Sequence, residues 1–377
     1  MTRSFSLSRD RAIAVVDIVG GHVGCALIAL RGKERVILAH GRSKLSLEPR
    51  DDAHARARLA EEIAEATAAV SKIAPGIPVG EVFVVLHAPW SNSRVVSASA
   101  LSKDDIEIKA AHIAKLADNA LQSAPEIDRA TLYEVSAVSV KMNGYTTNKP
   151  EGKRAHQVEL AAVVSSVDPA LRATIETALH AAFPVGRVSW RSVTRVYADA
   201  LQRLVQISDA VVLDLGVFAT SVSVYRDGVP SIEHAITEGL QSVLTRVHGT
   251  RPLEEVLSLF RMIDRDACAD ATCTSLQEAL AQAEPELVKV FGEALAAIAE
   301  TKRLPSDMLV IAHPDVGAWL NHFFARIDFT QFTTTALPFA VRIMSADDAE
   351  EWIGAKSGLD AALSLAAVHA VASAQST

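Results

Sequence analysis

Ala210-Val211-Val212-Leu213-Asp214-Leu215-Gly216, continued by Thr220-Ser221-Val222-Ser223-Val224-Tyr225 and the turn Arg226-Asp227-Gly228, decides the fold, because the chain carries it twice. The earlier copy runs Ala12-Ile13-Ala14-Val15-Val16-Asp17-Ile18-Val19-Gly20-Gly21. It continues through Val23-Gly24-Cys25-Ala26-Leu27-Ile28-Ala29-Leu30 and turns at Arg31-Gly32-Lys33. Each copy reads as an apolar strand ending in Asp, a Gly-bearing bend, a second strand and a hairpin turn. Two such units facing each other make a two-sided phosphate cleft, in which backbone N–H groups and aspartates hold a nucleotide and its metal.

Bulk properties narrow the choices. A chain of 377 residues forms two domains, or one duplicated domain with insertions. With 49% apolar residues it buries a large core without staples. A net charge of −8 argues against nonspecific nucleic-acid binding. Three cysteines are too few and too odd for a disulfide framework, which suits a reducing cytosol. Cys25 reads as a small core residue. Cys268 and Cys273 sit in an acidic segment whose spacing matches neither a zinc knuckle nor a calcium loop. No secretory leader is apparent, and no apolar run reaches the ~18–20 residues that span a bilayer. The Ala-rich stretch from Leu359 to Ala374 lacks a basic face and reads as a helix packed on the protein's own sheet.

Between the two copies the texture changes. Leu59, Ile63, Ala66 and Val70 recur at helical spacing within 51–73, and Pro75-Gly76-Ile77-Pro78 stops that helix. Val82-Phe83-Val84-Val85-Leu86 has the continuous apolarity of a strand buried on both faces. Residues 94–100 are extended, and Ser102-Lys103-Asp104-Asp105 predicts a helix capped at Ser102. Strands follow over 132–142 and 158–165, joined by Asn143-Gly144 and a polar loop, and then a helix over 169–182. A helix over 193–205 precedes the second copy. The chain is mostly helical from Pro252 to about Thr301, with short strands over 308–312 and 336–343.

This order of elements resembles the actin-like ATPase superfamily, in the bacterial branch that contains FtsA and PilM. Asp17-Ile18-Val19-Gly20-Gly21-His22 lies where that family has its first phosphate turn. Asp214-Leu215-Gly216-Val217-Phe218-Ala219-Thr220 lies where it has the second, close to PilM's Asp-Ile-Gly with Thr four residues after the Gly. Gly239 fits the family's Gly before the next helix, and 143–160 is similar to the FtsA loop and strand. The resemblance implies an α/β fold of the duplicated, actin-like (ribonuclease H-like) two-lobe kind with a small inserted α+β subdomain. It divides the chain into a first lobe over 1–86, the insertion over 87–167, and a second lobe over 168–377 with a helical subdomain at about 250–306.

By the same resemblance ATP and Mg would lie between the turns, with Asp17 and Asp214 at the metal. Gly20, Gly21, His22, Gly216, Thr220, Gly239 and Gly317 would line the nucleotide. The departures weaken this. Val19 and His22 stand where the first turn carries Gly and Lys, and Ala312-His313-Pro314-Asp315-Val316-Gly317 keeps only one glycine of the adenine-side pair. ATP binding is therefore expected to be weak at best, and hydrolysis slow. Without a ligand, each Asp reads as the cap of its own turn. Thr194, Asp199 and Gln202, on the helix before the second copy, are the polar candidates for orienting a hydrolytic water, and the sequence does not choose among them.

The resemblance implies a cytoplasmic scaffold or adaptor of a membrane-associated machine, for cell division or type IV pilus assembly. Its partner would be a short cytoplasmic segment of a membrane protein or a filament protein, with self-association possible, no nucleic acid and no direct membrane insertion. It would sit at the inner face of the membrane through that partner. A phosphotransferase of the same superfamily, such as a sugar or acetate kinase, and an adaptor that has lost nucleotide binding are the alternatives.

Overall fold

The computed structural model describes residues 11–375 apart from 33, 49–51, 126, 148, 185, 265–270, 301 and 355–357. Cys268 lies outside the described residues. The chain opens with β1 (Arg11–Val19), β2 (His22–Arg31), β3 (Glu34–Arg42), α1 (Asp52–Ile73) and β4 (Val79–Leu86). Next come β5 (Asn92–Glu107), α2 (Ala110–Gln122), β6 (Leu132–Met142), β7 (Tyr145–Thr146), β8 (Arg154–Ser166), α3 (Pro169–Ala182), β9 (Arg187–Ser192) and α4 (Val193–Leu204). The second copy supplies β10 (Ala210–Leu215), β11 (Thr220–Arg226) and β12 (Val229–Ile236). It is followed by α5 (Leu240–Val247), α6 (Leu253–Asp264), α7 (Ala271–Ala299), β13 (Asp307–Ala312), α8 (Gly317–Arg326), β14 (Ala340–Ile343), α9 (Glu350–Ile353) and α10 (Ala361–Gln375).

Two five-stranded sheets have the same topology: β3-β2-β1-β4-β9 and β12-β11-β10-β13-β14. In each, the Asp-bearing strand pairs antiparallel with its hairpin partner and parallel with a later strand. A separate four-stranded sheet, β5-β8-β6-β7, carries α2 on one face.

Two sequence expectations need correction. β5 runs on to Glu107, and α2 begins only after Lys109. The cap-like Ser102–Asp105 run is instead a β5 irregularity, because Ile106 and Glu107 resume pairing with Ala155 and Arg154 of β8. Local capping chemistry loses there to a sheet partner some 50 residues away in the chain. The lobe boundary at 168 also moves. β9 pairs with β4, and Leu171, Ile175, Leu179 and Trp190 pack with α1 on the first sheet, so 169–192 belong with the first lobe.

Strand alternation explains how the lobes meet. Ala14, Val16 and Ile18 of β1 face α1 and α3, whereas Ile13 and Val15 face a middle layer. In β10, Val211, Leu213 and Leu215 face the α5–α8 side, whereas Ala210 and Val212 face the same middle layer. α4 and α10 fill that layer. α10 is buried on every side by Leu363, Leu365, Ala367, Val368, Ala370 and Val371, as a helix apolar all round must be. It packs on β1 and β2 from one lobe and on α4 and β13 from the other. Gly24 lets it approach, since a Cβ there would lie 3.0 Å from Leu363.

Candidate functional site

The period of two that sorts the apolar residues also aims three polar ones. Asp17 shares the face of Ile13 and Val15. Asp214 shares that of Ala210 and Val212. His87, one residue beyond β4, continues the face of Phe83 and Val85. All three therefore point into the layer between the lobes, and there they meet. His87 Nε2 lies 2.8 Å from Asp17 Oδ1, and His87 Nδ1 lies 2.7 Å from Asp214 Oδ2. His87 and Asp17 are each 1% exposed and Asp214 is 7% exposed. The imidazole also meets Tyr197 of α4 edge-to-face at 6.0 Å.

An ionised carboxylate only accepts hydrogen bonds, and a neutral imidazole has one N–H to give. Two hydrogen bonds from one ring to two carboxyl groups therefore need two protons among the three groups. Burial alone pushes the His87 pKa down, but the facing Asp17 and Asp214 carboxylates overcome this and raise it to about 10. Burial pushes Asp17 up, and the imidazolium opposes that rise.

The two turns close over this bridge. A Cβ at Gly20 would stand 3.2 Å from the Phe218 ring. At Gly21, whose φ is +92°, it would stand 2.8 Å from Val217 and 2.7 Å from the Ser46 carbonyl. The Gly216 N–H donates to the Ala219 carbonyl at 3.0 Å. Thr220 turns its buried hydroxyl to the Glu238 carbonyl at 2.6 Å. Gly239 opens α5, where a Cβ would fall 2.4 Å from the Val217 carbonyl. Gly317 opens α8 against Ile343.

At the mouth, Arg42 pairs with Asp360, and Asp360 caps α10 by accepting from the Leu363 N–H at 2.7 Å. His22 Nε2 lies 3.9 Å from Asp360, and burial pushes the His22 pKa down to about 4. His313 is lowered too, by burial first. The space enclosed by Val19, His22, Asp214, Gly216, His313 and Asp360 measures about 40 Å³.

The PilM-PilN type IV pilus biogenesis complex contains a chain to which this one is similar over 96% of its own length and 98% of the other's, with a TM-score of 0.63 and 13% identity. The fold is the actin-like ATPase fold, in its PilM-like form. Fainter likenesses are to the ethanolamine utilization protein EutJ from Carboxydothermus hydrogenoformans and to a Bacteroides thetaiotaomicron protein with an actin-like ATPase fold. The first has a TM-score of 0.46 at 11% identity and covers 94% of this chain and 89% of EutJ. The second has a TM-score of 0.34 at 9% identity and covers 89% of this chain and 91% of the other. No protein-family model matches the chain, and no curated protein does.

The actin-like fold implies ATP and Mg between the turns, and the residues present do not fit them. Each expected metal ligand, Asp17 and Asp214, already directs a carboxylate oxygen at His87. Val217 and Phe218 of the second turn pack directly against Gly21 and Gly20 of the first. A space of about 40 Å³ suits one water, whereas ligand pockets run to ~300–1,000 Å³. Among the described residues, no group of three His, Cys, Asp or Glu side chains is arranged as metal ligands. The three candidate water-orienting residues also face elsewhere. Thr194 donates to Glu233, Asp199 pairs with His369 at 3.0 Å and with Arg203, and Gln202 lies against Gly228.

Sequence reasoning missed His87 and Asp360. A signal for His87 was present: it is the first residue beyond β4, whose last five residues are all apolar, at the carboxyl end where α/β sheets place their functional groups.

Proposed function

We propose that this protein is an actin-like scaffold of a type IV pilus-like machine, which binds a short cytoplasmic segment of a membrane protein and works without a nucleotide cycle. The observation that carries this reading is the Asp17–His87–Asp214 bridge, which occupies the ground on which the fold would otherwise handle phosphate. Electrostatic stabilisation by metal and positioned N–H groups supplies nearly all phosphoryl-transfer catalysis. Here both aspartates are bonded to His87, and the Gly216 N–H is given to the Ala219 carbonyl. The full-length likeness to the chain from the PilM-PilN complex supports the partner class. In this reading the protein is cytoplasmic and reaches the inner face of the membrane through its partner. Among the described residues, no helix is long and apolar enough to cross a bilayer.

Fluorescence anisotropy tests the reading, with labelled peptides that tile the cytoplasmic segments of membrane proteins encoded beside this chain. Saturable binding of one peptide, with the same Kd in Mg-ATP and in EDTA, is the expected result. No binding by any peptide, or binding that appears only with Mg-ATP, would overturn it.

A further inference from the structure

We propose that the outer edge of β5 is a self-association surface: a second copy of this chain adds its own β5 there, antiparallel and about a two-fold axis. The two inserted sheets then join edge to edge into one. This inference rests on the inserted sheet alone and does not depend on the partner reading above.

β5 stands at one edge of the order β5-β8-β6-β7. Its inner side pairs with β8 without a break from Asn92 to Leu101. Among the described residues, the backbone over 95–102 takes no other hydrogen bond, so its remaining N–H and C=O groups face outward. Exposed edges are normally blunted by a charge, a proline or a bulge. Val95-Val96-Ser97-Ala98-Ser99-Ala100-Leu101-Ser102 has neither charge nor proline, and the strand's irregularity comes only after Leu101. The neighbouring elements cover faces and leave this edge open. α2 packs on one face at Val96 and Ala98. The β11–β12 turn faces the other across Val95, Ser97, Glu159 and Lys141. Past them Ser99, Ala100 and Leu101 are all exposed. Successive strand residues point to opposite faces, so the strand there is open on both. Leu101, 79% exposed, and Ile106, 40% exposed, leave large apolar side chains in water on β5.

A second copy fits because the strand is complementary to itself. Arg94 stands at one end, and Lys103, Asp104, Asp105 and Glu107 stand at the other, with a net negative charge. Asp105 is held by His156 at 3.2 Å. Among the described residues, neither Arg94 nor Asp104 makes an ion pair within the chain. An antiparallel copy centred on Ser99 brings the Arg94 end of each strand to the acidic end of the other, whereas a parallel copy would set like charges together. Ser97-Ala98-Ser99-Ala100 offers only small side chains at the crossing, so nothing holds the two backbones apart. Leu101 comes opposite Ser97 of the second copy and diagonal to its Val95. Main-chain hydrogen bonds supply the attraction, and the end charges set the direction. The pairing is closed, since each copy uses its one edge on the other. One strand edge per copy is less than the ~1,200 Å² of a stable interface, so the dimer forms reversibly and at high concentration.

Sedimentation velocity of the full chain, from about 5 to about 300 µM, tests this on the concentration scale of a weak interface. The wild type is expected to shift reversibly to twice the monomer mass. Ser99→Lys puts a charge at the centre of the edge, on an exposed residue, and should weaken the dimer about tenfold or more with no change in melting temperature. Arg94→Asp should weaken it too, and Arg94→Asp/Asp104→Arg should restore it. Tyr145→Lys, on β7 at the opposite edge, should dimerise like the wild type. A wild type that stays monomeric throughout overturns the proposal, as does a Ser99→Lys protein with the wild-type Kd. Ser99→Cys under mild oxidation reads the register directly: residue 99 should crosslink to residue 99 of the second copy, as peptide mapping would show. A protein that sediments as a dimer yet gives no such crosslink would place the interface elsewhere and refute the pairing.

Discussion

Raising the pH should loosen this protein at one residue, and the size of the effect follows from the bridge. His87 has an ordinary pKa of 6.5 when unfolded and about 10 in the fold. Below pH 6.5 the ring is protonated in both states, and its contribution is fully present. Between 6.5 and 10 the folded state holds a proton that the unfolded state has lost. Stability then falls as pH rises, by about 1.4 kcal/mol per unit, and the bridge is lost as pH passes 10. Over the 3.5-unit window this amounts to about 5 kcal/mol, comparable to the cost of breaking a buried pair. The assay is urea unfolding at fixed temperature, followed by the fluorescence of Trp90, Trp190, Trp319 and Trp352, from pH 6.5 to 9.5. His87→Gln is the control, because Glu233, raised by burial to about 7, titrates at the lower edge in both proteins. The wild-type midpoint should fall steadily while the variant's stays nearly level above pH 7.5. Parallel curves for the two proteins would refute the assignment of the proton to His87.

Three further outcomes follow from the same surroundings. His22 is held neutral, with its pKa lowered from 6.5 to about 4, so the unfolded state takes up a proton first as pH falls; this costs the wild type about 3 kcal/mol between pH 6.5 and 4, read as the difference between the wild-type and His22→Gln urea-midpoint profiles, since Glu233 titrates in the opposite sense in both proteins. Gly239→Ala should cost about 1–3 kcal/mol in chemical denaturation, because its Cβ would meet the Val217 carbonyl at 2.4 Å and the Ala219 nitrogen at 2.7 Å, both backbone atoms. Asp360→Ala removes the cap of α10 and the partner of Arg42, and should lower unfolding stability by about 1–2 kcal/mol.

Much of the fold could be read from the chain. The two hairpins about Asp17 and Asp214, the apolar strand ending at Leu86 and the helix ending at Ile73 all follow from local pattern, since each buries residues at the spacing its element dictates. What could not be read depends on distant partners. β9 is a short strand with Arg187 and Arg191 in it, and only its parallel pairing with β4 assigns it to the first lobe. The run Ser102–Asp105 carries a helix-start signal that pairing with β8 overrides.

The site was half legible for the same reason. Asp17 and Asp214 stand out because each ends an apolar strand, but the sequence left open whether they cap turns or hold a ligand. Their actual partner lies 70 residues from one and 127 from the other. His87 becomes visible only when strand parity is followed one residue past the end of β4 and the two lobes are brought face to face. Thr220 looked like a phosphate contact by its place after Gly216, yet its hydroxyl serves the Glu238 carbonyl, a role that spacing does not reveal.

The Asp17–His87–Asp214 bridge closes the cleft against nucleotide. Titration calorimetry of the wild type with Mg-ATP, paired with thermal melting at 5 mM Mg-ATP, should therefore show no saturable heat and no shift in melting temperature. A ligand present at 100 times its Kd would add ~2.7 kcal/mol of stability. Micromolar binding with a matching rise in melting temperature, abolished by Asp214→Asn, would mean that the cleft opens to ATP and that the bridge does not close it.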